Sequence, residues 1–396
     1  MNAWLPLLVT LVIQAMVSMA LLTLPVMAPV VAQALQLSPA LVGMYVSVTY
    51  AGAMIASLLG GATVRRLGAI RVSQWGLLLC AVGLLLCMAP WLPAMVLGAV
   101  CIGLGYGPIT PASSHLLART TPAQQMSLVF SIKQTGVPVG SMLAGALVPS
   151  LLLGVGWQWS MMVVAAVCVV CALVSQPLRH ALDEDRDAGN RVHLGSLIQP
   201  IRLVLAHRAL TTMAACSFMF SMVQMSLTTY LVTYLHDDLH FGLVLAGLLL
   251  SVTQMGGIGG RILWGYVADR WLGARRMLLV LAGLMVAGAW ATALLSADTP
   301  RVWMMWVLVV FGASAIGWNG VYLAEVARRA PEGMASLATG GTLAFTFLGV
   351  VLGPPVFGLL STVFGTYRAG FVALMAVACC SGAVLWWSQR GRSATA

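Results

Sequence analysis

Charge is what this chain has least of. Asp, Glu, Lys and Arg make up 8% of its 396 residues, and a single one of these residues is a lysine. Soluble domains carry about a quarter charged residues, so a soluble fold of this length is excluded. With it goes the nucleic-acid reading that a net charge of +10 would otherwise invite. Loop cysteines are also missing: Cys80, Cys87, Cys101, Cys168, Cys171, Cys216, Cys379 and Cys380 all fall in apolar runs and are expected to be reduced core fillers. Cys168 and Cys171 form a CxxC without a surrounding strand and turn or a second ligand pair, which argues against redox or metal chemistry. No nucleophile, metal set or carboxylate pair stands at compatible depths, so neither an enzyme nor a cofactor is expected. Lys and Arg are absent from Met1 to Pro29. Ala32-Gln33-Ala34 resembles a signal-peptidase site, but without a basic leader and after so long an apolar run the segment reads as a retained first span.

Apolar residues supply 60% of the chain, in runs of about 20 residues, the length that crosses a bilayer as helix. Twelve spans are expected, at 4–31, 40–61, 72–89, 94–117, 127–152, 157–175, 210–235, 243–265, 277–295, 302–324, 335–360 and 369–388. The longest polar segment, Gln176 to Arg208, contains Asp183-Glu184-Asp185-Arg186-Asp187 and is too hydrophilic to insert. It predicts a linker at 176–208 between six-helix bundles at 1–175 and 209–396. With both termini cytoplasmic, 17 of the 20 basic residues fall on one side and Arg301 and Arg368 are the loop exceptions, as the positive-inside bias of a plasma (inner) membrane protein requires.

The halves repeat. An offset of 205 residues lays Gly60, Arg65, Leu67-Gly68-Ala69 and Arg71 on Gly265, Arg270, Leu272-Gly273-Ala274 and Arg276. At an offset of 209 residues, Arg119-Thr120-Thr121-Pro122 answers Arg328-Arg329-Ala330-Pro331. Parallel duplication of a six-span unit is a transporter architecture that puts substrate near the midplane between repeats.

On these residues the chain resembles the major facilitator superfamily over essentially its whole length. The segment Gly265 to Arg276 is similar to that family's G-x-x-x-D-R-x-x-G-x-R-R signature, and the resemblance implies a twelve-helix, all-α membrane fold of two pseudo-symmetric bundles. It also implies a gating role for Asp269, Arg270, Arg275, Arg276 and Gly265, and for Gly60, Arg65 and Arg71 in the first copy, where Val64 replaces the acid. Physically, Asp269 can dock on a helix N-terminus while the arginines face anionic lipid or a carboxylate; the competing reading is a tight turn whose arginines set topology. Ala99 stands where many proton antiporters of the family carry arginine before a Gly-x-Gly, here Gly103-Leu104-Gly105. Gly136-Val137-Pro138-Val139-Gly140 matches the antiporter G-P-x-x-G-G only loosely.

Lys133 lies in Ser131-Ile132-Lys133-Gln134-Thr135-Gly136, a polar knot inside an apolar run. An ammonium at membrane depth is costly unless it meets a cavity, partner or ligand. The bland alternative is a lysine snorkelling to the interface. Gly136, Gly140 and Ala144 line its face and admit close approach, and Pro138 frees a carbonyl one turn earlier. Arg261 in span eight looks like the substrate arginine of oxalate and monocarboxylate carriers, although Ile262 follows it where those carriers have proline. Two cations and hardly any acids within the spans point to an anionic ligand, best a small carboxylate. Gln14, Tyr45, Tyr50, Gln134, Gln224, Gln254 and Asn319 are candidate polar neighbours, each also readable as a helix-packing hydrogen bond. Glu325 and His115 are the candidate proton-coupling groups, against a salt bridge to Arg328 or Arg329 and an interfacial histidine. His236, Asp237, Asp238 and His240 form an outer-loop cluster expected to be solvated rather than metal-binding.

The sequence thus predicts a monomeric alternating-access transporter in the lipid bilayer that moves a small organic anion, with a proton as candidate co-substrate. The runner-up is efflux of amphipathic drugs, favoured by 23 Met, 13 Trp and 10 Phe residues. A non-transporting receptor of the same fold is the third reading, with no appended signalling domain expected.

Overall fold

A computed structural model describes residues 4–121, 126–184, 198–331 and 334–393. Helix accounts for nearly all of them and no strand occurs among them. Hydrocarbon offers the backbone no hydrogen-bond partner, so a run of this polarity must satisfy its own amides as helix. Among the described residues, twelve helices are long and apolar enough to cross a membrane. Spans one to six are Trp4–Val26, Pro39–Gly60, Ala69–Cys87, Leu92–Thr120, Ile132–Val155 and Trp157–Leu182. Spans seven to twelve are Arg208–Asp237, Leu243–Leu272, Ala274–Ala293, Arg301–Arg329, Ala338–Phe364 and Tyr367–Ser388.

The chain divides into two compact units, Met1–His193 and Leu194–Ala396, with six spans in each. Within the first, span one packs on five, two on four, and three on four and six. The second uses the same scheme, seven on eleven, eight on ten, and nine on ten and twelve. Turns repeat as well. Gly68 (φ 95°) and Gly273 (φ 74°), which the 205-residue offset superposes, both take the left-handed region that a Cβ disfavours, and so reverse the chain between neighbouring spans.

Small residues set how closely the paired spans approach. A Cβ on Gly103 would collide with the Thr49 carbonyl, joining spans two and four, and one on Gly312 would collide with the Thr253 carbonyl, joining eight and ten. The Gly103-Leu104-Gly105 motif is therefore a packing device here, since Gly105 in turn abuts the Gly76 carbonyl of span three.

Two parts of the 176–208 segment are built into the units. Gln176–Leu178 and Arg179–Leu182 are short helices, Leu182 is 1% exposed in an apolar cluster with Val64, Ile70 and Leu116, and its carbonyl accepts from the Arg119 guanidinium at 3.1 Å. Asp183 then accepts from the backbone N–H groups of Ile70 (2.8 Å) and Arg71 (3.0 Å), capping span three. A carboxylate at the positive end of a helix is stabilising by about 0.5–2 kcal/mol. On the other side, Gln199–Ala206 forms a helix that buries Val204 against span eleven at Gly341. Asp185, Arg186 and Asp187 lie outside the described residues.

The thiols differ from expectation in one respect. All eight are free, but Cys379 and Cys380 are exposed on span twelve rather than filling a core. Their helix turns that face outward, where a thiol behaves as a small apolar group in contact with lipid.

Candidate functional site

In the first unit the site begins at a break in span five. The helix Met126–Gln134 ends at Thr135 and a second helix, Gly136–Val155, restarts at once. Pro138, in the first turn of that second helix, has no N–H to give the preceding turn, and the Thr135 hydroxyl bonds the Ile132 carbonyl at 2.6 Å. Lys133 sits just before the break and is 1% exposed, among the largest fully buried side chains of the protein. A snorkelling lysine keeps its ammonium at the surface, and this one does not.

The small-residue face beyond Lys133 is filled by span one. A Cβ on Gly136 would meet Gln14 Cβ at 2.9 Å, and one on Gly140 would collide with the Ala15 carbonyl. Gln14 is fully buried; its Oε1 accepts from the Thr110 hydroxyl at 3.3 Å, while its Nε2 has no hydrogen-bond partner among the described residues. Leaving an amide N–H buried and unmet costs about 1–3 kcal/mol, so it marks a place where a polar group is due. Gln134 follows Lys133 and is half-buried; the Ser131 side chain lies outside the described residues.

In the second unit the break falls in span ten. Helices Arg301–Gly317 and Asn319–Arg329 meet at Trp318, which is 1% exposed and packs edge-on to Phe220 (5.5 Å) and Tyr322 (5.1 Å). Around this break four of the sequence-predicted residues come together. Gln224 Oε1 accepts from Trp318 Nε1 at 2.9 Å and from Asn319 Nδ2 at 3.5 Å. Gln254 Nε2 donates to the Thr228 hydroxyl at 3.3 Å, one turn along span seven from Gln224. Arg261 Nε and Asn319 Nδ2 both donate to the Ile316 carbonyl, at 3.2 and 3.3 Å. Gly317 makes this possible, because a Cβ there would meet Arg261 N at 3.1 Å. The result is a continuous polar string at the broken helix, closed by the Thr228 hydroxyl's bond to the Gln224 carbonyl at 3.0 Å.

Tyr45 and Tyr50 stand apart from both clusters. Tyr45 lines an apolar cavity of about 300 Å³ with Leu24, Val31, Met44 and Met95. Tyr50 packs edge-on to Tyr106 at 5.7 Å. His115 is half-buried near the end of span four. Glu325 is 4% exposed and ion-paired with Arg329 at 2.7 Å, the salt bridge that competes with a coupling role.

The signature loop differs from the docking expected of it. Asp269 pairs with the Arg328 guanidinium at 3.2 Å, with both side chains more than half exposed, and with no helix N-terminus among the described residues. Exposed pairs of this kind contribute about 0–1 kcal/mol. In the first copy Val64 is buried in the apolar cluster with Leu182, and the carboxylate at the helix start comes from Asp183 instead. Gly60 packs on Pro111 (2.8 Å to a built Cβ), whereas Gly265 has open space around it among the described residues. Arg71 lies over the Trp75 ring at 5.8 Å, and Arg65, Arg270 and Arg276 are exposed. Arg275 donates to the Ser388 hydroxyl.

In the loop between spans seven and eight, Asp238 and His236 have structural partners while His240 is exposed. Asp238 accepts from the Thr366 hydroxyl (2.7 Å) and the Tyr367 N–H (2.9 Å), capping span twelve, and His236 Nδ1 bonds the Phe241 carbonyl at 2.8 Å. No metal-binding group of three or more side chains occurs among the described residues.

Sequence reasoning missed Trp318, Thr228, Thr110 and Asp183. Trp318 was signalled by Gly317-Trp318-Asn319-Gly320, a stretch poor in helix formers within an apolar span.

Comparison with known proteins fits this architecture. A solved bacterial homologue of the human lysosomal transporter Spinster, in an inward-facing and occupied conformation, shares the fold with a TM-score of 0.77 at 15% identity, covering 97% of this chain and 96% of that one. Among curated relatives, the sodium-dependent phosphate transport protein 1, chloroplastic, of Arabidopsis thaliana is 24% identical over 358 residues, 85% of this chain and 67% of that protein. The benzoate transport protein of Acinetobacter baylyi is 23% identical over 300 residues, 69% of this chain and 64% of that protein. The chain spans about two thirds or less of these relatives' own length. The sequence profile of the Major Facilitator Superfamily, a family of transporters and not of enzymes, matches residues 7–342. An integral, multi-pass membrane protein, the chain belongs to the Major Facilitator Superfamily.

Proposed function

We propose that this protein is an alternating-access carrier of a small organic anion, a carboxylate, across the plasma (inner) membrane, with both termini cytoplasmic and the protein acting as a monomer. The observation that carries the reading is Lys133, wholly buried at a helix break in a span without an acidic residue. A buried ammonium is stabilised by an anion and repelled by a cation. Gln14, Gln134 and Thr110 are the groups proposed to bind substrate in the first unit; within the second unit, Arg261, Gln224, Gln254 and Asn319 are proposed as a separate set of substrate-binding groups. Similarity to proteins named for benzoate and for phosphate transport supports an anionic cargo. A transported proton is part of the proposal, with Glu325 and His115 its titrating groups. Asp269 with Arg328, and the arginines of the two repeated loops, serve as the conformational latch.

Thermal unfolding of the purified protein against a panel of carboxylates, sugars and cationic drugs tests this reading. Benzoate or a related carboxylate is expected to raise the midpoint saturably, since a ligand at 100 times its Kd stabilises by about 2.7 kcal/mol. Sugars and cations are expected to leave it unchanged. A shift produced by cationic amphiphiles alone would favour the second reading, drug efflux, for which the apolar cavity around Tyr45, Met44 and Met95 is the specific observation.

A further inference from the structure

At the end of the second unit where span eight turns into span nine lies a cavity of about 270 Å³ that shares no residue with the cluster around Gln224. Four spans build it: Arg208 and Thr212 from seven, Arg275 from nine, Glu325 and Arg329 from ten, and Ser388 from twelve. Three guanidinium groups thus line a space with one carboxylate, and that carboxylate is already paired with Arg329 at 2.7 Å. The lining carries a net charge of two positive units. An adjoining cavity of about 280 Å³ shares Arg275, Glu325 and Arg329 and adds Arg276 and Arg328.

The repeat shows what such a place holds in the other unit. There, the chain brings its own anion: Asp183 accepts from the Ile70 and Arg71 N–H groups, and a Cβ on Gly68 would collide with it. The 205-residue offset carries Ile70 and Arg71 to Arg275 and Arg276. On span twelve the neutral Ser388 hydroxyl receives the Arg275 guanidinium. A Cβ on Gly273, the counterpart of Gly68, meets nothing within 4 Å among the described residues. The second unit therefore places Arg275 and Arg276 where the first has Ile70 and Arg71, and leaves the approach at Gly273 open among the described residues.

We propose that this cavity binds a phosphate group, free or on a lipid headgroup. Guanidinium groups that converge from three spans suit a tetrahedral oxyanion better than a planar carboxylate, and a dianion balances the surplus charge. Thr212 and Ser388 supply further donors. A bound phosphate links spans seven, nine, ten and twelve at one end of the unit, and so stabilises it without entering the proposed transport site.

The test is thermal unfolding of the full chain in uncharged detergent during titration with inorganic phosphate, against sodium chloride at matched ionic strength. Wild type is expected to show a saturable rise in midpoint, and Arg208→Gln, at an exposed helix start, to need at least tenfold more phosphate for half the effect. Arg275→Gln is the second variant, read the same way. A parallel arm compares phosphatidylcholine vesicles with and without phosphatidic acid. Saturation by phosphate in both settings assigns free phosphate, and a response to phosphatidic acid alone assigns a headgroup; either supports the site. A response no larger than that to chloride in both arms, or one that survives unchanged in Arg208→Gln and Arg275→Gln, overturns it.

Discussion

Lys133→Gln is expected to weaken binding of the stabilising carboxylate by 10- to 100-fold while leaving the protein folded and as stable as wild type. A charge-assisted contact contributes about 1.5–3 kcal/mol, which is about one to two decades in Kd. Stability moves differently, because the substitution removes a desolvated ammonium along with whatever it touches. The two readings of Lys133 therefore separate in one experiment. A structural ion pair at a site that is 1% exposed would lose about 3–5 kcal/mol on breaking, and the unfolding midpoint would fall by many degrees. A substrate-binding lysine loses affinity and keeps its midpoint. Binding isotherms and thermal unfolding of the same preparation check both halves of the expectation.

The second large effect concerns the fold. Gly103→Val and Gly312→Val are each expected to destabilise by about 3 kcal/mol or more, and to abolish monodisperse protein in gel filtration. Each places a branched side chain against a backbone carbonyl, Thr49 in one unit and Thr253 in the other, and a carbonyl inside a helix cannot move without dragging its helix along. Gly283→Val is the control. Its Cβ meets nothing within 4 Å among the described residues, so the variant is expected to purify like wild type. Equal loss in all three would mean that valine in any span is harmful and that these close approaches are not special.

Much of the architecture was legible because its signal is local. Runs of about 20 apolar residues give spans, and the 205-residue repeat gives the equivalence of Gly68 and Gly273 that their positive φ values express. Gln224, Gln254, Asn319 and Arg261 were visible for the same reason, as polar residues in apolar helices. What stayed hidden depends on distant contacts. Asp183 reads as one acid among several in a hydrophilic linker, and only folding brings it to Ile70, more than a hundred residues earlier, where it supplies the anion that Val64 does not. Asp269 carries the family's motif, yet its partner is the exposed Arg328 side chain, which motif spacing does not encode. The surroundings of Tyr45 were not legible because hydropathy reports that a residue lies within a span and not which face it takes; with Leu24, Val31 and Met95 it lines an apolar cavity. Trp318 looked apolar by composition, but its indole N–H is the shortest donor to Gln224 in the second cluster.

Uptake of radiolabelled benzoate into liposomes containing the purified protein, with the same liposomes holding Lys133→Gln as comparison, tests the central claim most directly. Saturable uptake by wild type that unlabelled carboxylates compete away, and that falls at least tenfold in the variant at low substrate, is the result the account predicts. Uptake equal to protein-free liposomes for every carboxylate tried, alongside saturable flux of a cationic drug that Lys133→Gln leaves intact, would contradict it.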